Sequence, residues 1–583
     1  MPTERRKRHV GSWHWVVLES ETPLVRQLET DEAISPLLAR TLVSRGLTHP
    51  QQARTFLEAR LADNLGDPFG LRDMDRAAER VVRAIERREP IAIFGDYDVD
   101  GITATVLLLR LLRWVGTDPC YYIPHRVDEG YGLNCGAVDS LASKGVRLVV
   151  TVDNGISAVA EVDHATSLGL DCVITDHHQP GPELPRAWAV VDPNRSDCTY
   201  GFPHLSGVGV AFKLAHAVLR HLGVEERKAK DFLLSLLDIV ALGTVADIVP
   251  LIGENRALVR AGLARLEETE NAGLAALLSL CERSIKPLLA DTITYFLAPR
   301  LNAAGRTEHA SLAVELLLAT DPDRADDLAH QLDELNDLRR SVERRIFDNG
   351  LALVPQQCDM DKDLVYVVVG RQWHLGVIGI VASKMSEHFS RPVVVLSESD
   401  GLARGSARST PGFDVYAALT RCSDILKTFG GHRQAAGLSL PADKIALLRE
   451  QLNAIAAESL GDEETFEKLV IDAVCEAEDL SLDAVEDLQA LEPCGYGNPK
   501  PIFALLGTDL IREPWVVGSN HLKMTVASAR MDFDVIGFGM ADALRELRQI
   551  TGPIDLAFRP AVSTWGGTPR VELQLCDFRP SEA

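Results

Sequence analysis

The sequence predicts an α/β chain of several domains: a parallel-sheet domain, a long connecting helix, a smaller α/β domain and a C-terminal all-β module. Three observations predict it. From Pro90 onward, short apolar runs that end in polar residues alternate with helical stretches. The charged segment from Asp321 to Asn349 places Leu328, Leu332, Leu335, Leu338, Val342 and Ile346 at helical spacing. After Lys468, strand-like runs and Gly/Pro turns dominate.

The elements follow in order. Residues 1–75 read as a helical N-terminal extension, with Leu37, Leu38 and Leu42 on one face and a break at Asp67-Pro68-Phe69-Gly70. Residues 76–310 form the first α/β domain, with strands at Ile91 to Phe94, Leu148 to Val152, Cys172 to Thr175 and Ala189 to Val191, and a helix such as Ile102 to Trp114. Residues 311–355 hold the connecting helix. Residues 356–462 form the second α/β domain, opening on the strands Leu364 to Val369 and Pro392 to Leu396. Residues 463–583 form the β module, with strands such as His521 to Val526 and Val571 to Leu575.

Composition bounds the function. The 583 residues are 46% hydrophobic, enough core for roughly three or four domains. A net charge of -24 argues against non-specific coating of nucleic acid or anionic membrane, but leaves room for a local basic channel. The ten cysteines include no Cys-x-x-Cys pair, which argues against structural zinc and a disulfide framework, so they are expected to be reduced and mostly buried. The basic run Arg5-Arg6-Lys7-Arg8 precedes an apolar stretch broken by Ser12 and His14, too short for a signal peptide. With no run of about 20 apolar residues, no membrane span is expected and the cytoplasm is the default location.

The chemistry concentrates at strand ends, where ligands of parallel sheets bind. The strand Ile91 to Phe94 runs into Asp96-Tyr97-Asp98-Val99-Asp100-Gly101, whose alternate carboxylates can point the same way on an extended loop. Three such anions repel unless a hard divalent cation such as magnesium or manganese offsets them. An EF-hand loop also starts D-x-D-x-D-G, but Leu107 stands where its twelfth-position glutamate belongs and a strand precedes the motif. A solvated acidic turn is the plainer alternative. Three more clusters weigh against it: Asp153-Asn154-Gly155, Asp176-His177-His178, and Asp247 after the apolar stretch Ile239 to Val245. Carboxylate with imidazole is the donor set of hydrolytic sites in which paired metals activate water at a phosphoryl group. Gly207-Val208-Gly209 before a helix reads as tight packing and not as a nucleotide loop.

Together with Gly243-Thr244-Val245-Ala246-Asp247, these motifs resemble in order and interval those of the DHH phosphoesterase superfamily. The resemblance implies metal ligation by Asp98, Asp100, Asp153, His177 and Asp247, with His178 as an acid or phosphate contact. In related pyrophosphatases a histidine four residues before the first of these ligands binds metal, and Phe94 stands there in this chain. Asp96 either substitutes for that imidazole or supports the loop, and is counted among the metal candidates.

Within the superfamily the chain is similar nearly end to end to the RecJ family. The carrying motifs are Arg300-Leu301-Asn302-Ala303-Ala304-Gly305-Arg306, Trp373-His374-Leu375-Gly376-Val377-Ile378-Gly379, Gly405-Ser406-Ala407-Arg408-Ser409, Gly430-Gly431-His432-Arg433-Gln434-Ala435-Ala436-Gly437 and Leu491-Glu492-Pro493-Cys494-Gly495-Tyr496-Gly497-Asn498-Pro499. The resemblance implies a DHH domain, a DHH-associated domain and an OB-like barrel. It implies substrate contacts from Arg300, Asn302, Arg306, Arg371, His374, Ser406, Arg408, Gly430, Gly431 and His432. The Gly-Gly pair would let amides approach a phosphate, the more so if a helix starts there. Trp515 and Trp565 are candidates for base stacking and for core alike.

What this similarity implies for activity is a 5′ to 3′ exonuclease for single-stranded DNA with two Mn²⁺ or Mg²⁺ ions, releasing 5′-mononucleotides in DNA repair, recombination and mismatch repair. Single-strand-binding protein and a RecQ-type helicase are the implied partners. The alternatives are a DHH phosphodiesterase for short oligonucleotides or cyclic dinucleotides, and a non-catalytic DNA-binding scaffold.

Overall fold

The computed structural model describes residues 13–20, 22–31, 33–281, 286–459, 468–564 and 567–581. The basic run at residues 5–8 and Trp565 lie outside the described residues. Two compact units emerge. One joins Met1–Leu65, Ile248–Ala261 and Glu464–Ala583; the other joins Gly66–Asp247 and Gly262–Glu463.

The second unit is built on a five-stranded, all-parallel sheet in the order Cys120–Tyr122, Ile91–Phe94, Leu148–Val152, Asp171–Thr175, Ala189–Val191. Every residue of Ile91–Phe94 and Leu148–Val152 is buried, because helices cover both faces of a parallel sheet and strand side chains find no solvent. The chain passes from the Ile91–Phe94 strand to one neighbour and then crosses to the other. That reversal places a topological switch point at the carboxyl ends of Ile91–Phe94 and Leu148–Val152, where a ligand crevice forms.

The connecting helix spans Pro322–Gln357, longer than its apolar spacing indicates, with Pro322 in its first turn. Leu328, Leu332 and Ile346 are buried as expected, whereas Leu338 is exposed. The second α/β domain carries the sheet Thr428–His432, Ala435–Pro441, Leu402–Arg408, Val393–Ser399, Tyr366–Arg371, in which only the last two strands run parallel. The Leu375–Phe389 helix packs on it through Val377, Val381 and Met385. Gly430, Gly431 and His432 lie in an exposed hairpin strand, so no helix starts there to add its amino end. Local pairing decides it: Gly431 adopts φ +143 and an added Cβ would meet the Ala435 carbonyl at 2.4 Å.

The first unit places the N-terminal helices in the same core as the β module. Leu28, Leu37, Leu38 and Leu42 share one core with Phe503, Leu505, Leu556 and Phe578. The strand His14–Val17 pairs in parallel with Lys468–Ile471. A helical periodicity shows which face is apolar but not what covers it. In the seven-stranded sheet, Phe503–Leu510 pairs with Ile554–Ser563 and also with His521–Ser528, so the strand path returns on itself. Arg256 is buried here and donates to the carbonyls of Phe56, Ala490, Leu491, Glu492 and Pro493. Among the described residues no helix is long and apolar enough to cross a membrane. All ten cysteines are free; Cys120 and Cys135 are exposed and Cys172, Cys358, Cys422, Cys475 and Cys494 are buried.

Candidate metal centre

Each acidic residue reaches the switch point by a different local device. Asp98 caps the Val99–Trp114 helix, accepting from the Gly101 amide at 3.1 Å, and Asp100 stands in the first turn. The expected extended loop is therefore a helix start, because a capping aspartate satisfies the otherwise unpaired first amides. Asp153 follows its strand with φ +60, a left-handed conformation that aspartate tolerates better than most residues. Asn154 donates to the carbonyls of Val152 at 2.8 Å and Phe94 at 3.3 Å, tying together the two strand ends that flank the switch point. Asp247 does not end a strand: Leu237–Ala246 is a helix buried on nearly all sides, and Asp247 is its C-cap. A short apolar run has no period with which to tell a buried helix from a buried strand.

These devices bring the donors together. The described residues contain three groups whose donor atoms lie within 4.8 Å of one another: Asp153, His177 and His178; Asp100, His177 and Asp247; and Asp96, Asp98 and Asp153. Asp153 and His177 are each shared by two groups. His177 Nε2 stands 3.0 Å from Asp153, 3.5 Å from Asp247 and 3.8 Å from Asp100. Asp100 is held by both oxygens, which accept from the Gly207 and Val208 amides at 2.6 and 2.8 Å at the start of the Gly207–His221 helix. The Gly-Val-Gly segment thus serves as an amide clamp for a carboxylate. An added Cβ at Gly207 would stand 2.6 Å from the Asp153 Cβ.

The electrostatics describe a site short of positive charge. Burial first, and neighbouring carboxylates second, push Asp96, Asp153 and Asp247 well above the usual carboxylate range, and Asp100 up to about 7. Among the described residues, buried Asp96 Oδ1 and Asp247 Oδ2 make no hydrogen bond, although His177 Nε2 stands 3.5 Å from Asp247 Oδ2. Such orphaned anionic oxygens in a hard oxygen and imidazole donor set fit divalent cations. Burial and the charge of His178 push His177 down to about 4, so its imidazole is neutral, the form that ligates.

His178 is the opposite case. Burial disfavours its charge, but the hydrogen bond and charge of Asp176 overcome that and hold it up at about 9. Asp176 accepts from the amides of Ile156, His177 and His178 and from His178 Nδ1 at 2.7 Å. As an ionised acceptor, Asp176 requires the proton on Nδ1, and the same nitrogen stands 4.0 Å from Asp153. The Tyr131 hydroxyl, 3.1 Å from Nδ1 and donating to the Asp153 carbonyl at 2.9 Å, braces the same ring.

Three arginines stand beside this cluster. The Arg126 guanidinium lies 3.9 Å from the centroid of the Tyr97 ring. Arg306 is depressed to about 9 by burial and then by Arg126 and Arg339, and Arg408 is lowered by burial and then by Arg126. Arg306 donates to the Gly376 carbonyl at 3.2 Å, and Arg408 to Ser406 Oγ at 2.6 Å and Ser383 Oγ at 3.0 Å. No ion pair forms at Arg126, Arg306 or Arg408 among the described residues, which leaves their charge for an anion.

Known proteins share this series of domains. Residues 90–244 match the DHH family N-terminal domain, 361–458 the DHHA1 domain and 471–577 the RecJ OB domain. The single-stranded-DNA-specific exonuclease RecJ of Bacillus subtilis is 40% identical over 572 residues, covering 97% of this chain and 71% of that protein. The protein of the same name from Dickeya dadantii is 37% identical, covering 94% of this chain and 97% of that protein. The chain belongs to the RecJ family. The crystal structure of RecJ in complex with Mn²⁺ from Thermus thermophilus superposes with a TM-score of 0.83 at 28% identity, covering 98% of this chain and 80% of that chain.

Not every residue expected of a RecJ relative gathers at the centre. Arg300 is occupied by Asp333 at 2.8 Å and the Phe296 carbonyl, so it fastens two helices instead of facing outward. Arg371 is 90% exposed and lies 3.5 Å from Glu398. His374 caps the Leu375–Phe389 helix, and Gly376 packs so closely on the Arg306 carbonyl that a Cβ would stand 2.2 Å away. Asn302 keeps a buried Oδ1 without a hydrogen-bond partner. Sequence reasoning missed Arg126, Tyr131 and the positioning role of Asp176. Arg126 and Tyr131 follow the Cys120–Tyr122 strand, so the strand-end rule was signal enough, but that strand is short and was not recognised.

Proposed function

We propose that this chain hydrolyses single-stranded DNA from the 5′ end, one 5′-mononucleotide at a time, with two Mn²⁺ or Mg²⁺ ions in the centre. The observation that carries this reading is the convergence of Asp96, Asp98, Asp100, Asp153, His177, His178 and Asp247 in three overlapping donor groups beside unpaired arginines. Asp98, Asp100, Asp153, His177 and Asp247 would hold the ions, with Asp96 completing the site. Bound there, such ions lower the pKa of water and offset charge on the phosphoryl oxygens.

The chain's own residues divide the remaining work. Arg126, Arg306 and Arg408 bind the terminal phosphate as forked donors, with Ser406 beside them. Water adds to the phosphorus of the second nucleotide and the bond to the first nucleotide's 3′ oxygen breaks. His178, protonated at neutral pH and grouped with Asp153 and His177, delivers a proton to that oxygen. Asp176 and Tyr131 keep its ring in place. The remaining strand carries a new 5′ phosphate, so the arginines meet the same group after each cycle.

We retain 76–310 as the catalytic domain, 356–462 as the substrate-binding domain and 463–583 as an OB-like domain that grips single strands. A cytoplasmic role in repair and recombination, alongside single-strand-binding protein and a RecQ-type helicase, fits this activity. The test is degradation with Mn²⁺ of a long 5′-phosphorylated single strand, compared with duplex, dinucleotide and pyrophosphate. The long single strand should yield mononucleotides from its 5′ end; its survival would refute the reading. Asp153→Ala and His177→Ala should retain strand binding and lose cleavage.

A further inference from the structure

The charge of the Pro322–Gln357 helix is uneven along its length. Its first half carries Asp323, Asp326, Asp327, Asp333, Glu334 and Asp337 with Arg324, and the next turns carry Arg339, Arg340, Arg344 and Arg345 with Glu343 and Asp348. These four arginines and Lys384 of the Leu375–Phe389 helix line a cavity of about 1080 Å³. Glu343, buried at its floor, accepts from Arg339 at 2.8 Å and also pairs with Lys384. One carboxylate thus answers two cations.

Arg340, Arg344 and Arg345 are exposed and make no hydrogen bond or ion pair among the described residues. Asp337 and Asp348 stand at the three- and four-residue spacings that usually pair on a helix, yet no pair forms. In a chain of net charge -24, three unpartnered guanidinium groups at one cavity are complementary to a polyanion. Arg340 and Arg344 are displaced along the helix axis by about 6 Å, a span fitted to successive phosphates of an extended strand. Arg339 lies within electrostatic reach of Arg306, so positive charge continues from the metal centre to this face.

We propose that this face of the connecting helix is a track for the sugar-phosphate backbone of single-stranded DNA beyond the nucleotides held at the metal centre. It rests on the exonuclease reading and adds a contact surface outside the catalytic machinery. The contact is to phosphate and is independent of base sequence.

The experiment compares the full chain carrying Asp153→Ala, which blocks cleavage, with the same chain also carrying Arg340→Gln, Arg344→Gln and Arg345→Gln. Binding of a 30-nucleotide single strand is titrated at several salt concentrations. Losing three phosphate contacts should flatten the salt dependence by about 2 in logarithmic slope, so a fourfold rise in salt weakens the parent about 16-fold more than the variant. A triple lysine variant should restore the slope. In the otherwise native chain, the glutamine variants should leave hydrolysis of a 5′-phosphorylated tetranucleotide unchanged and slow that of the long strand at high salt. An unchanged salt slope overturns the proposal, and so does an equal loss on the tetranucleotide. A parent that neither binds nor degrades the long strand overturns the exonuclease reading and this track with it.

Discussion

Gly207→Ala tests how the centre is held. The new Cβ would lie 2.6 Å from the Asp153 Cβ and 2.7 Å from its Oδ1. Carbon atoms rest at about 3.5–4.0 Å, so either Asp153 or the helix start must retreat by about 1 Å. Retreat of the helix lengthens the 2.6 and 2.8 Å amide bonds to Asp100; retreat of Asp153 displaces a donor shared by two groups. Bonds to a charged group contribute about 1.5–3 kcal/mol each, and a misplacement of about 1 Å costs about 100-fold in rate. We expect kcat/KM on single-stranded DNA to fall about 100-fold, near 3 kcal/mol, with weaker Mn²⁺ binding by calorimetry. Gly209→Ala is the control, because its Cβ would meet Ser206 Oγ at 3.3 Å and nothing closer. Its activity should stay within about threefold, since the neighbour needs to give only slightly and alanine is the better helix former. Near-wild-type activity and metal affinity in Gly207→Ala would refute the clamp.

Three further outcomes follow from the same geometry. Asp96, Asp100, Asp153 and Asp247 have folded-state pKa values raised above their unfolded ones, so the metal-free protein loses stability as pH rises above the ordinary carboxylate range, for Asp100 up to about 7. Asp100 alone, moved from 3.8 to about 7, accounts for about 4 kcal/mol. Mn²⁺ should therefore raise Tm more at pH 7.5 than at pH 5, by roughly 3–5 °C for a chain of this size, and an equal gain at both would contradict the linkage. Arg306→Gln should raise KM for a 5′-phosphorylated strand at least tenfold while changing that for a 5′-hydroxyl strand much less; steady-state kinetics on the two substrates decides it. Arg256→Leu strands five carbonyls in the core of the first unit and should cost about 3–5 kcal/mol, read as an earlier melting transition by calorimetry.

The metal candidates are legible in the sequence because carboxylates and imidazoles at strand ends have few structural reasons to cluster, and Asp96, Asp98, Asp100, Asp153, His177 and Asp247 all fall in such clusters. Asp247 was found for the wrong local reason, as a strand end instead of a helix cap, since the Ile239 to Val245 run is apolar in either state. The arginines were legible only as a class. Arg300 and Arg306 lie in one motif, yet Asp333 pairs with the first, whereas the second forms no ion pair among the described residues. Ion pairing across 33 residues leaves no local trace.

Sequence alone determined the alternation of elements, the long helix, the β-rich C-terminal end and the chemical character of the site, because periodicity and residue type are local properties. Tertiary structure alone decided that the N-terminal helices share a core with the β module and that the Gly207 and Val208 amides grip Asp100. It also decided which cations stay free. These depend on distances between residues far apart in the chain, set by packing once the switch point brings strand ends together.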